Sequence, residues 1–154
     1  MSTAATIESA DRRIVRCMQR FGTPAMRYSL ALIFIWFGVL KPFGLLPAEP
    51  LVKLTVAWMP LLTPGQWVSL IGWWEVAIGI TFCFRRTLRI AIALLALQMV
   101  GTFMPLFILP DVTFQAGRIP FAPTMEGQYI IKNLVIISAA LILGGSLGTK
   151  ASRG

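Results

Sequence analysis

Apolar residues in this chain gather into four long runs, at about 24–43, 66–84, 88–107 and 128–143, separated by short basic or proline-rich segments. A hydrocarbon core of about 30 Å takes about 20 helical residues to cross, so this pattern predicts four membrane-spanning helices. Pro24 falls where a first helical turn tolerates proline, and Gly44 follows the end of the first run. Ahead of that run, Ile7, Ala10, Ile14, Met18 and Phe21 recur at helical spacing, while Arg12, Arg13, Arg16 and Arg20 fill the opposite face. This predicts a separate basic amphipathic helix, which either lies on an anionic leaflet or serves as a solvated tail that sets topology. Pro47, Pro50, Pro60 and Pro64 bracket the stretch Leu51 to Met59, which is too short to span. With Trp58 at its end and Trp67 just beyond, it reads as an interfacial helix with an aromatic belt. Pro105 predicts a kink near the outer end of the third run. Residues 109–127 mix Pro110, Pro120 and Pro123 with Phe114, Phe121 and Met125, the composition of a loop folded down on a bundle or of a partner-docking surface.

Composition agrees with a membrane protein: 56% of the 154 residues are hydrophobic and 13% are charged. The net charge of +8 would point to nucleic acid in a soluble chain. Here the basic residues flank apolar runs, where they encode orientation, and nucleic-acid binding is set aside. With four spans, ten of the fourteen basic residues lie on one side, leaving Lys41, Lys53, Arg118 and Lys132 on the other. Both termini are then cytoplasmic, and the protein is a multi-pass component of a bacterial inner membrane. The division is a basic amphipathic segment at 1–23, a four-helix membrane domain at 24–145 and a cytoplasmic tail at 146–154. The first run reads as a span and not as the core of a cleaved signal. The chain contains no histidine, and Cys17 and Cys83 do not form a Cys-x-x-Cys pair. No motif for a redox centre, a metal or a nucleophile is present, which argues against catalysis by this chain alone without deciding the question.

One residue breaks the second run. Glu75 lies about nine residues from its start, near the bilayer midplane, where an acidic side chain costs roughly 2.5–3.5 kcal/mol unless it is paired or faces a wet cavity. Gly72 and Gly79 share its helical face, so a neighbouring helix can approach closely there. Ala31, Phe34, Gly38 and Lys41 form a matching stripe on the first span, Gln98 and Thr102 lie on the third, and Lys132 and Asn133 stand above Ala139 and Ala140 on the fourth. Convergence of these stripes yields a candidate polar pocket of Glu75, Lys132, Lys41, Asn133 and Gln98. By height along the membrane normal, Lys132 is the expected main partner of Glu75 and Lys41 the second. Two readings stay open: a buried ion pair that fixes helix register, or a pocket that binds a quinone headgroup, a small anion or a proton.

The run from Arg27 to Lys41, with Trp74-Glu75-Val76-Ala77-Ile78-Gly79, Thr102-Phe103-Met104-Pro105 and Glu126 to Asn133, resembles the DoxX-like superfamily and within it the YkgB-type branch. The resemblance covers about residues 24–145. It implies a four-helix inner-membrane protein with Lys41, Glu75 and Lys132 as the charged positions of the pattern. It also implies a respiratory or oxidative-stress setting, since DoxD and DoxA relatives are described as subunits of a thiosulfate:quinone oxidoreductase. Three functions follow: a non-catalytic accessory or assembly subunit, a quinone-binding component of a membrane oxidoreductase, and a small transporter or proton path through Glu75. Its partners would be membrane lipid and either another membrane protein or further copies of the chain.

Overall fold

A computed structural model describes residues 3–148, with side chains from residue 7 onward. The last residues of the expected cytoplasmic tail lie outside the described residues. The described fold is all helical. In chain order it comprises α1 (Thr3–Leu40), α2 (Glu49–Val56), α3 (Pro64–Cys83), a single 3-10 turn (Arg85–Thr87), α4 (Leu88–Phe103), α5 (Pro105–Ile108), α6 (Pro110–Thr113), α7 (Met125–Ile131) and α8 (Asn133–Gly148).

Three stretches are long and apolar enough to cross a membrane: Ile7–Leu40, Arg85–Ile108 and Met125–Gly148. They are compatible with a multi-pass membrane protein in contact with lipid. Helix α3 is 20 residues long but is not one of the three. Gln66, Glu75 and three tryptophans dilute its hydropathy, and it packs against α1, α2 and α4 while Leu70, Trp73 and Ile80 stay exposed.

The two helices expected on either side of Pro24 are one. Helix α1 runs 38 residues with Pro24 inside it, about 57 Å at 1.5 Å per residue and roughly twice a hydrocarbon core. Pro24 has no N–H for the Arg20 carbonyl, yet the helix continues through it. Every residue from Ile7 to Gly22 is exposed, so the amphipathic segment extends from the bundle as a continuation of the helix that forms the span. Helix α3 begins at Pro64, slightly ahead of the expected start. A reciprocal cap sets that start: Gln66 N donates to Thr63 Oγ1 at 3.4 Å, and Thr63 N donates to Gln66 Oε1 at 2.9 Å. The expected interruption at Pro105 is present, because α4 ends at Phe103 and the chain resumes as the short helix α5. Pro105 cannot donate to Gly101, and the Met104 N–H to the Val100 carbonyl is the last bond of the preceding ladder.

Packing of α1 on α3 depends on glycine. A Cβ on Gly38 would lie 2.8 Å from the Gly72 carbonyl oxygen, and one on Gly72 would lie 2.7 Å from the Gly38 carbonyl oxygen. At Gly79 it would meet the Ala31 carbonyl oxygen at 2.8 Å. The two backbones touch along the stripe expected from spacing, which is how helices associate closely where lipid supplies no hydrophobic drive. Below the crossing, Phe34, Ile78, Phe82, Leu95 and Leu143 form a core that α1, α3, α4 and α8 share.

The 109–127 connection is folded tightly upon itself. Thr113 is fully buried, Thr124 Oγ1 donates to the Val112 carbonyl at 2.7 Å, and Thr124 N donates to the Thr113 carbonyl at 2.9 Å. Gly127 packs against that same Thr113 carbonyl, leaving no room for a side chain. Phe114 is buried, whereas Phe121 and Met125 project outward.

Candidate functional site

Lys41 lies one residue beyond α1, in a turn where its N–H donates to the Gly38 carbonyl. It reaches Glu75 because α3 has no side chain at Gly72. A Cβ there would stand 2.8 Å from Lys41 Cβ and 2.8 Å from Pro42 Cδ. The glycine crossing therefore does more than join two helices. It lowers the lysine stem onto the face of α3 that carries the carboxylate, and Lys41 Nζ donates to Glu75 Oε2 in a buried ion pair. The other carboxylate oxygen, Oε1, accepts a hydrogen bond from Gln98 Nε2 of α4 at 2.9 Å. Glu75 is 9% exposed and Lys41 is 8% exposed, so both charges are largely withdrawn from solvent and each compensates the other. Three elements distant in sequence meet at this point, one charged or polar group from each.

Lys132 does not join them. It is exposed, and its Nζ stands 5.3 Å from the centre of the Tyr129 ring. Helix α7 buries Gly127 and Ile130, and two residues beyond Ile130 the helix has turned by about 200°. Lys132 thus leaves on the opposite side from the bundle. The expected pairing of Glu75 with Lys132 is corrected to a pairing with Lys41: height along the normal was compatible, but the direction around the helix was not. Asn133 does face inward at the joint between α7 and α8. Its Nδ2 donates to the Tyr129 carbonyl at 2.9 Å and the Ile130 carbonyl at 3.0 Å, closing the end of α7. That leaves its Oδ1 available as an acceptor.

Above the Glu75 cluster is a cavity of about 610 Å³. Its lining includes Phe34, Lys41, Glu75 and Gln98, α2 residues Leu51, Val52 and Thr55, and the end of α4 with the start of α5, from Leu97 to Pro105. Trp67 near the start of α3, Tyr129 of α7 and Asn133 at the start of α8 also line it. The lining is mainly aliphatic and aromatic with a few convergent polar groups, the usual make-up of a small-molecule site. Thr55 has already given its hydroxyl to the Leu51 carbonyl at 2.7 Å. Gln98, in contrast, keeps its carbonyl oxygen free for a further partner, because its bond to Glu75 uses only the amide nitrogen.

Four of the five residues expected in a polar pocket therefore line this cavity, and Lys132 does not. The contributions of α2, Trp67 and Tyr129 were not apparent from sequence. Trp67 reads as a belt residue there, and only the folding back of α2 reveals that it also forms a wall. Among the described residues, no cluster of histidine, cysteine or acidic side chains is arranged to hold a metal. Cys17 and Cys83 are free thiols, with Cys83 Sγ donating to the Gly79 carbonyl at 3.5 Å. No family model matches the chain, and no curated protein or solved structure matches it.

Proposed function

We propose that this chain is a four-span protein of a bacterial inner membrane that holds an amphiphilic ligand of the quinone class in the cavity above Glu75. It would act as the ligand-binding subunit of an oxidoreductase whose electron-carrying centre belongs to another protein. One observation carries this reading: a mostly apolar cavity of about 610 Å³ is lined in part by a buried cluster that still has unused hydrogen-bonding capacity. Lys41 commits one of its three N–H groups to Glu75, and the Gln98 carbonyl oxygen remains free. An apolar tail suits the apolar lining and a carbonyl-bearing ring suits the polar cluster. The similarity to DoxX-like proteins noted from sequence supports the same setting. In this reading α3 is the fourth span, Arg85 and Arg86 lie on the cytoplasmic side with both termini, and α2 lies at the outer interface.

The chain's own residues would bind and orient the ring. Lys41 would donate to one carbonyl, Glu75 would hold the Lys41 ammonium in position, and Gln98 would fix the carboxylate that does so. The bound quinone would supply the redox chemistry. Photo-crosslinking with an azido-substituted, short-tailed benzoquinone in native membranes tests the proposal. Labelling should concentrate on peptides from α2, the first half of α3 and the second half of α4, and excess unlabelled quinone should remove it. Labelling spread over all lipid-facing helices and insensitive to competition would contradict it.

A second reading rests on Glu75 already having a partner on each carboxylate oxygen. On that basis the cluster fixes the register of α1, α3 and α4, and the protein is an accessory or assembly subunit in a respiratory or oxidative-stress complex. Glu75→Gln separates the two: the accessory reading expects loss of stability alone, whereas the ligand-binding reading expects loss of quinone labelling in protein that remains folded.

A further inference from the structure

Helix α1 leaves the bundle as an arm whose two faces are set by the span it belongs to. Five turns of α-helix take about 18 residues, so positions that far apart point the same way. Arg12, Arg13, Arg16 and Arg20 stand five turns ahead of Leu30, Ala31, Phe34 and Gly38, all of them buried against the bundle. Ile14, Val15 and Met18 stand five turns ahead of Leu32, Ile33 and Trp36, all of them exposed. The arginine face of the arm therefore continues the bundle-facing side of the span, and its apolar stripe continues the side that meets lipid. The arm also leaves at a basic end. Gly38 packs on Gly72 and Ala31 on Gly79, so α1 and α3 run antiparallel and the arm emerges at the end of the bundle where Arg85 and Arg86 follow α3.

Pro24, at the base of the arm, sets the direction in which it folds. It lies two turns ahead of Ala31, on the bundle-facing side, and its ring crowds the Arg20 carbonyl to which it cannot donate. A helix opened on that side bends away from it, towards lipid. Folding outward turns the exposed stripe of Ile7, Ile14, Met18 and Phe21 onto the leaflet and leaves the arginines at headgroup level. We propose that residues 7–22 form a membrane-surface anchor that hinges outward at Pro24 and binds the anionic phospholipid of the leaflet at that end. Both faces of the arm select this occupant. Glu8 already pairs with Arg12 at 2.9 Å, so Arg13, Arg16 and Arg20 outnumber the remaining acid, Asp11. An acidic protein would match the arginines and leave the apolar stripe in water, and a second copy of the arm would cover the stripe and leave the arginines without counter-charge. An anionic leaflet matches both.

Spin-label accessibility of the full-length protein in lipid nanodiscs tests this, with Cys17→Ser and Cys83→Ser as the background and phosphatidylcholine, with or without phosphatidylglycerol, as the lipid. A nitroxide on Met18→Cys, in the apolar stripe, should be reached by oxygen and shielded from a water-soluble nickel chelate when phosphatidylglycerol is present. One on Ser9→Cys, two turns ahead of Arg16 on the arginine face, should stay open to the chelate. Arg13→Gln should lower the ratio of immersed to free arm about 5-fold, the effect of one basic residue at an anionic surface. Equal chelate access at Met18 and Ser9 in phosphatidylglycerol nanodiscs overturns the anchor and leaves the arm to an acidic soluble partner. Spin–spin broadening at Met18 gives the stripe to a second copy and overturns the anchor likewise. Immersion that is the same with and without phosphatidylglycerol overturns the anionic headgroup as the ligand, and immersion unchanged by Pro24→Ala overturns the hinge.

Discussion

Replacing Lys41 by methionine would keep most of its stem and delete the ammonium. The consequence follows from how deeply the pair is placed. Both partners are under 10% exposed, so solvent cannot replace the lost cation, and breaking a buried pair from one side costs about 3–5 kcal/mol. Gln98 would still donate to Glu75 Oε1, which favours the lower end of that range. A loss of about 3 kcal/mol corresponds to a change of roughly 150-fold in the unfolding equilibrium. Lys132→Met is the matched control, because Lys132 is exposed and its ammonium stands over the Tyr129 ring, away from Glu75; its cost should stay within about 0.5 kcal/mol. The double variant Lys41→Met with Glu75→Gln removes both charges and should recover much of the loss, since no desolvated ion remains and the amide oxygen at position 75 can still accept from Gln98. Reversible unfolding in bicelles, read by steric trapping, provides the comparison. A cost for Lys132→Met equal to or above that for Lys41→Met would refute the pairing. So would additive losses in the double variant.

Other expectations follow from the same geometry. Gly38→Ala and Gly79→Ala should each destabilise by about 1–3 kcal/mol, because the new methyl meets the carbonyl of the facing helix; Gly101→Ala, with nothing within 4 Å, should be neutral or slightly stabilising in the same assay. Cysteine labelling in intact cells tests the four-span topology: a thiol introduced at Ala116 or Ala57 should react with an impermeant maleimide, whereas Cys17 should react only after permeabilisation. Pro24→Ala should leave the helical content measured by circular dichroism unchanged or slightly higher, because α1 is already continuous through that position. A fall in helicity would contradict the single 38-residue helix.

Much of this arrangement is legible in the sequence, and the rest is not, for identifiable reasons. Glu75 stands out because an acid inside an apolar run has few inexpensive fates, and the glycines flanking it on one face point to a close neighbour. The stripe Ala31, Phe34, Gly38 and Lys41 follows from helical periodicity alone, and the first three with Lys41 are all buried. Choosing between Lys41 and Lys132 as the partner of Glu75 needs the rotation of each helix about its axis. Sequence spacing fixes heights within a span but not which way its far end faces. Glycine spacing carried the missing information: Gly38 and Gly72 bring α1 and α3 together just below Lys41, whereas Gly127 of α7 packs against Thr113 and Pro123. The join at Pro24 failed for a different reason. Proline is permitted at a helix start and also, at some cost, inside a helix, so its position alone does not locate an end. The cavity itself was hidden because it forms where α2 folds back over α3, a contact between segments whose short-range patterns are silent about each other.

Native mass spectrometry of the untagged protein, released gently from its own membrane, tests ligand binding most directly. The expected result is a stoichiometric adduct with the mass of a membrane quinone, retained at collision energies that strip phospholipid and lost in Lys41→Met. Protein that carries only phospholipid, with the same adducts in wild type and Lys41→Met, would contradict it and leave the Glu75 cluster as a device for helix register.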